Sequence, residues 1–271
     1  MMTACWLCGG ATSADEALGG LGFERCTSCG YVFRPDLDPE ELAQIYEGDE
    51  YGEERAQEYM ADAELEDRRR DARVRLRYLA PFAQGGGLLD VGASTGAFVK
   101  EAEIAGFDAW GIEPTPSYAK LAREQLGVDV RDGMLEGHEL EPGSLAAVTL
   151  WHVLEHIREP LGPLRRLRDA LAGGGVLALE VPNAGGAMAR HEGAAWGSLQ
   201  PEVHVSQFAP DTLRLALEQA GLRVLDISTV PITPYLPARA RMNPRHVAYR
   251  VKTARWRRLG GYDLLRAVAQ A

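Results

Sequence analysis

Four cysteines fall within the first 30 residues, as Cys5-x2-Cys8 and Cys26-x2-Cys29. Two such pairs separated by 17 residues match the spacing of a four-thiolate zinc site, since each tight turn presents two sulfurs to one tetrahedral metal. Gly9, Gly10 and Gly30 follow the pairs where a knuckle turn needs a positive φ. A reducing compartment disfavours a disulfide pair, and duplication at zinc spacing disfavours a redox C-x-x-C. All four ligands come from the chain, so no position stays open for catalysis and the expected role is structural. A segment this short buries too little apolar surface to fold alone, so the metal supplies its folding energy.

A second constellation is "LLDVGASTGAF", Leu88 to Phe98, which reads as a buried strand, a glycine turn and a helix. A dinucleotide turn has the form G-x-G-x-x-G/A, with an acid about 20 residues further on. Gly92, Ala97 and Glu113 satisfy it; Ser94 does not. The second glycine lets the backbone approach a pyrophosphate, and a Cβ with a hydroxyl obstructs that approach. What remains is Asp90-x-Gly92-x-x-x-Gly96, a turn suited to a nucleoside ligand without phosphate. S-adenosylmethionine is such a ligand. Backbone groups of Gly92, Ala93, Ser94 and Gly96 would meet its methionine end. Glu113, ending the second strand, would accept both ribose hydroxyls. Asp132, ending the third, would accept from the adenine amine, with Gly133 and Met134 beside the ring. Carboxyl ends of strands are where open α/β sheets bind ligands.

The elements that must carry these residues follow from periodicity. "GYVFRP" reads as a strand ending at Pro35, and "DPEELAQIY" as a helix with Asp38 at its N-cap and Pro39 at its first position. Residues 53–80 form a long polar helical stretch stopped by Pro81, and "QGGG" (84–87) marks a boundary. From Leu88, strands "LLDVG", "DAWGIEP", "VDVRDG", "LAAVTLW", "VLALEVPN" and "LRVLDISTV" alternate with helices, among them one around "PLRRLRDALAGGG" with glycines at its C-terminus. "GYDLLRAVAQA" supplies a last strand. Alternation of this kind predicts an α/β fold: a Rossmann-like, seven-stranded, mostly parallel sheet with helices on both faces. The expected organisation is a zinc ribbon over 1–37, a helical linker over 38–84 and a nucleoside-binding domain over 85–271.

"LLDVGASTGAF", "GIEP", "HVLEHIREP", "LAGGGVLALEVPN" and "HVSQFAPDTLRLALEQAGL" together resemble the class I S-adenosylmethionine-dependent methyltransferases, in the methyltransferase-23-type branch whose members carry an N-terminal zinc ribbon. "CWLCG … ERCTSCGYVFRPDLDPEELAQIYEGDEYG" resembles that ribbon and its trailing helix. The resemblance spans most of residues 5–230 and implies methyl transfer from S-adenosylmethionine. The family motif often reads D-x-G-x-G-x-G, so Ser94 departs from it.

"WHVLEHIREP" contains His152, Glu155 and His156, formally H-x-x-E-H. The zinc-protease chemistry of that motif needs one continuous helix. Here the motif directly follows a strand and precedes Pro160 and Pro163. Ubiquinone-pathway O-methyltransferases show a similar segment in which acids and a histidine hold a divalent metal, with His152 here in place of the first acid. The favoured reading has Trp151 and His152 lining the pocket, and Glu155 and His156 fixing the loop by hydrogen bonds. His204, in a loop that also holds Trp196, is nominated as general base, with His152 second, because a neutral imidazole near pH 7 can take an acceptor proton.

Net charge is −10, unevenly spread: residues 1–60 carry three Arg against 13 acids, and residues 238–271 nine Arg/Lys against one. An acidic ribbon opposes a grip on phosphate backbones. No apolar run approaches the ~20 residues of a membrane span, and the N-terminus lacks the pattern of a secretory signal, so a cytoplasmic location is expected. The expected partner is a small-molecule or sugar- or lipid-linked acceptor, methylated at O, N or C and chosen by loops 184–207 and 231–260. An RNA methyltransferase with the ribbon as reader, an NAD-dependent oxidoreductase and a non-catalytic S-adenosylmethionine-binding protein stand as alternatives. Oligomeric state is not readable from the sequence.

Overall fold

The computed structural model describes residues 3–18, 20–38, 52–231 and 262–271, with single positions 244, 251 and 254. The helix expected to open at Asp38–Pro39, and most of the basic segment, lie outside them. The first elements are β1 (Thr12–Ala14), β2 (Glu24–Cys26), β3 (Val32–Phe33), α1 (Gly52–Met60) and α2 (Asp62–Leu79). There follow β4 (Gly86–Val91), α3 (Ala97–Ile104), β5 (Phe107–Glu113), α4 (Pro116–Leu121), β6 (Asp129–Asp132) and β7 (Leu145–Trp151). The last are α5 (Leu161–Ala170), β8 (Leu171–Pro182), α6 (Ala187–Glu192), β9 (Ser206–Gln207), α7 (Pro210–Gln219), β10 (Arg223–Val230) and β11 (Leu264–Gln270).

The large sheet has seven strands in the order β10-β11-β8-β7-β4-β5-β6. β4 pairs in parallel with β5 and β7, and β5 with β6. Leu88, Leu89, Val148, Leu150, Leu177 and Leu179 are buried, as near-continuous apolar runs in a sheet covered on both faces require. Two expectations change. The stretch over 53–80 is two helices, broken at Ala61, whose extended backbone (φ −60°, ψ 137°) ends one helix and starts the next. "LAGGG" begins β8 rather than ending α5: Gly174 has φ +87°, and the Ala271 N–H donates to Gly175 O at 3.1 Å, so these glycines sit against the last strand.

The chain divides into two compact units. One gathers Glu40–Trp151, Arg166–Ala178 and Gln270–Ala271. Within it α2 packs on α3, where buried Glu101 accepts from Arg69 (2.5 Å) and Arg73 (3.2 Å). The other gathers Met1–Pro39, His152–Arg165 and Leu179–Ala269. Within it a small second sheet runs β1-β2-β3-β9, three strands from the cysteine segment and one from the loop after β8. No helix among the described residues is long and apolar enough to cross a membrane.

Candidate active site

β4 is buried from Leu88 to Val91, and its Asp90 accepts the Thr149 hydroxyl of β7 at 2.6 Å. Burial drives the Asp90 carboxyl up to about 7 against that hydrogen bond. Beyond β4 the chain turns sharply. Gly92 has φ +73°, and the N–H groups of Gly92 and Ala93 both donate to Ile112 O, at 2.8 and 3.0 Å. Ser94 adopts φ +50°, so it takes the left-handed conformation a glycine prefers, at a cost of about 1–2 kcal/mol. Gly96 (φ +76°) then opens α3; a Cβ there would lie 2.7 Å from Val128 Cγ2 and 2.9 Å from Ala122 Cβ. Gly111 of β5 was not foreseen: a Cβ on it would meet Ala93 Cβ at 2.5 Å, so its bareness lets the turn lie on β5.

Glu113 ties this turn down. Its two carboxylate oxygens accept from the backbone N–H groups of Ser94 (2.7 Å) and Thr115 (2.9 Å). Burial raises its pKa, and those two donors oppose the rise. The Thr115 side chain is a third hydrogen-bond partner, and the lone-pair capacity left on the carboxylate can accept a ligand hydroxyl. One residue past the pairing of Glu113 with Asp132, the Gly133 N–H donates to Glu113 O at 3.0 Å. Asp132 is exposed beside Arg123 (3.4 Å), and Met134 is 38% exposed. Trp151, ending β7, packs its ring on Phe98 (5.3 Å) with the Arg75 guanidinium 5.0 Å above it. Asp90, Gly92, Ala93, Ser94, Gly96, Glu113, Asp132, Gly133, Met134 and Trp151 thus all lie in one unit, on strand ends and the turns that follow them.

His152, His156 and His204 belong to the other unit. His152 has φ +61°, and its N–H donates to Glu180 O at 2.9 Å. Its ring sits between two carboxylates, with Nδ1 3.2 Å from Glu155 Oε1 and Nε2 3.1 Å from Glu180 Oε1. The second Glu180 oxygen accepts from Arg266 Nε at 2.5 Å. Burial favours the neutral ring, but the two carboxylates win and lift the pKa to about 9. An imidazolium with both N–H groups engaged has no lone pair for a proton, which argues against the expectation that His152 acts as a base. Glu180 and Arg266 were also unforeseen, although an acid inside "VLALEVPN" was a visible anomaly for a buried strand.

His204 differs. Its Nδ1–H donates to Ser198 O at 2.9 Å, which leaves the lone pair on Nε2, and burial lowers its pKa. His156 Nδ1 lies 3.1 Å from Val203 O, and the two rings meet edge-on at 4.6 Å. Leu154–His156 is a single helical turn, so the H-x-x-E-H sequence lacks the continuous helix of a protease. Fully buried Glu155 is pushed up by burial but held below the usual carboxylate range by His152, His156 and His204. The Glu155, His156 and His204 donor atoms lie within 4.8 Å of one another, with His152 outside that trio.

The four cysteines converge, with all sulfurs within 4.8 Å of one another. Cys5 and Cys29 Sγ are 3.7 Å apart and Cys8 and Cys26 Sγ 3.5 Å apart, too long for disulfides. A tetrahedron with Zn–S of about 2.3 Å has edges of about 3.8 Å, so the set fits zinc.

A family model described as "Methyltransferase domain" matches residues 63–227, more than half of the chain. The chain belongs to this methyltransferase family. The matched region runs from α2 to β10 and includes every proposed nucleoside-binding position. The methyltransferase is 31% identical over 197 residues to the ubiquinone biosynthesis O-methyltransferase of Xanthomonas euvesicatoria pv. vesicatoria, covering 66% of this chain and 82% of that one. It is 32% identical over 186 residues to the protein of the same name from Xanthomonas campestris pv. campestris, covering 64% and 77%. The fold is similar to an S-adenosylmethionine-dependent methyltransferase from Thermotoga maritima (TM-score 0.57, 16% identity, 84% of this chain and 99% of that one). It is also similar to one from Mesorhizobium loti (TM-score 0.54, 18% identity, 72% and 95%). The methyltransferase uses S-adenosylmethionine as methyl donor.

Proposed function

We propose that the enzyme methylates a hydroxyl oxygen on a small-molecule acceptor, with His204 as general base and a structural zinc ion on Cys5, Cys8, Cys26 and Cys29. In this reading the Gly92–Gly96 backbone, including Ala93 and Ser94, receives the methionine end of S-adenosylmethionine. Glu113 accepts the ribose hydroxyls, Asp132 accepts from the adenine amine beside Gly133 and Met134, and Trp151 lines the pocket. Asp90 braces the turn through Thr149.

Methyl transfer is an in-line displacement at the sulfonium carbon. The acceptor oxygen forms the new C–O bond, the S–C bond breaks, and its electron pair stays on sulfur as a neutral thioether. The acceptor proton must leave, and a hydroxyl needs a base near pH 7. His204 carries the proposal: its Nδ1–H is fixed on Ser198 O, and burial keeps the ring neutral with a lone pair on Nε2. The relatives named as O-methyltransferases, about 31% identical, support oxygen and a small acceptor. The acidic cysteine segment supports a target other than nucleic acid.

The test is incubation with methyl-labelled S-adenosylmethionine and a metabolite extract, followed by isolation of the labelled product. A methyl ether, stable to alkali and cleaved by hydriodic acid, is expected, and label in a base-labile methyl ester, in a C-methyl group or in RNA overturns the assignment. His204→Gln lowers turnover by about 10²–10⁴-fold while S-adenosylmethionine affinity stays within about twofold. Full turnover in this variant overturns the base.

A further inference from the structure

We propose that the cysteine ribbon is a metal-dependent clamp on the loop that carries His204, rather than a recognition module of its own. The whole argument lies within one compact unit. β3 of the ribbon pairs antiparallel with β9, Val32 opposite Gln207 and Phe33 opposite Ser206. The Arg34 N–H extends the ladder to Val205 O at 2.8 Å, and its guanidinium donates to Pro201 O at 2.5 Å.

Both knuckles of the metal site feed this contact. Tyr31 stands two residues after Cys29, and its backbone O accepts from the Cys26 N–H at 2.8 Å. Its buried hydroxyl donates to Ser206 Oγ at 2.6 Å, and Ser206 Oγ donates onward to Ile157 O at 2.9 Å. Ser206 therefore bonds directly to the segment holding Glu155 and His156, and Tyr31 ties that junction to the ribbon. Trp6, between Cys5 and Cys8, packs on Phe33 (4.3 Å) and lies 5.1 Å from the Arg158 guanidinium. Arg158 in turn donates to Pro35 O (3.1 Å) and Leu37 O (2.8 Å). Beneath the strands, ribbon residues Phe23 and Val32 share an apolar cluster with Met188, Ala189, Trp196 and Leu199 of the loop.

Each partner needs the other. Three ribbon strands of three, three and two residues are too short to stand alone, so metal binding supplies the energy that orders them. The loop runs from Asn183 to Val205 with one short α-helix and the single 3-10 turn that follows it, and long connections of this kind need bracing. The ordering energy of the metal site therefore reaches His204 through two strand registers and one hydroxyl relay. The consequence for turnover rests on His204 as base; the clamp itself does not.

Hydrogen exchange of the full chain, measured without acceptor, tests the clamp separately from the catalytic reading. Zinc-loaded and chelator-treated protein are compared over residues 199–208 and over Leu88–Val91, with S-adenosylhomocysteine binding by calorimetry as a second readout. Chelation is expected to speed exchange in 199–208 at least about tenfold, while Leu88–Val91 and S-adenosylhomocysteine affinity change less than about twofold. In the zinc-loaded chain, Tyr31→Phe combined with Ser206→Ala is expected to speed exchange in 199–208 by about 30-fold, since two hydrogen bonds of about 1 kcal/mol each are lost. Unchanged exchange after chelation, equal loss of protection at Leu88–Val91, or no effect of the zinc-loaded double variant overturns the clamp. A failed His204→Gln result with a positive exchange result would remove only the base.

Discussion

Glu113→Gln separates two duties that one side chain is assigned. The carboxylate accepts a backbone N–H on each oxygen, from Ser94 at 2.7 Å and Thr115 at 2.9 Å, and also bonds the Thr115 side chain, while its remaining capacity is assigned to the ribose. A glutamine keeps one acceptor oxygen and turns an NH2 toward the other N–H. One buried donor is then unsatisfied, which costs about 1–3 kcal/mol. The neutral amide returns part of this, because burial already penalises the charged form of Glu113. The net loss of stability is about 1–2 kcal/mol, a fall in Tm of about 2–8 °C. Ligand affinity falls further, since hydrogen bonds to a charged acceptor contribute about 1.5–3 kcal/mol, or about 10- to 100-fold in Kd. Calorimetric titration with S-adenosylhomocysteine, alongside thermal melts, measures both effects. A 2′,3′-dideoxy analogue should bind wild type and variant alike. A lowered Tm with an unchanged S-adenosylhomocysteine Kd would leave Glu113 as an anchor of the turn only and refute the ribose assignment.

Gly96→Ala and Gly127→Ala form a matched pair, because both glycines have positive φ but only Gly96 would place a Cβ within 3 Å of Val128 and Ala122. Denaturant unfolding should show a loss of about 1–2 kcal/mol at Gly127 and about 2–4 kcal/mol at Gly96, and equal losses would contradict the packing account. His152, flanked by Glu155 and Glu180, has its pKa raised from 6.5 to about 9. The raised value means that its stabilisation is complete below about pH 6.5 and disappears as pH rises through about 9. Unfolding free energy measured from pH 6.5 to 9.5 should therefore fall more steeply in wild type than in His152→Gln; parallel curves would show that the imidazolium contributes nothing. Metal analysis of the purified chain should find about one zinc per chain, lost in Cys26→Ser, and a zinc content unaffected by that change would disprove the four-sulfur site.

The histidine segment shows where linear reasoning stops. His152 and His204 were equivalent as residue types, both near strand ends and both ordinary imidazoles with an unperturbed pKa near 6.5. Only folding placed Glu155 and Glu180 on the two nitrogens of the first, and a carbonyl with burial around the second. Glu180 lies 28 residues from His152 and Arg266 a further 86 along, so no local spacing announces their meeting. The two helix and strand boundaries that shifted have the same origin: a polar run cannot show where its axis breaks, and glycines after a helix fit a cap or a strand start equally well.

What the sequence determined alone was whatever depends on short-range geometry. The cysteine spacing specified a four-sulfur cluster, and the alternation of apolar runs with helical segments specified a seven-stranded α/β sheet. The glycine turn with Glu113 and Asp132 made a nucleoside without a pyrophosphate the expected ligand, because Ser94 puts a side chain where a pyrophosphate turn keeps the backbone bare. Tertiary structure decided the rest: that Ser94 takes the left-handed backbone of the missing glycine, that Gly111 must be bare beneath the turn, and that the ribbon donates its edge strand to the His204 loop. Those facts depend on atoms distant in the chain occupying one volume, and packing and electrostatic environment arise only once the chain has closed on itself.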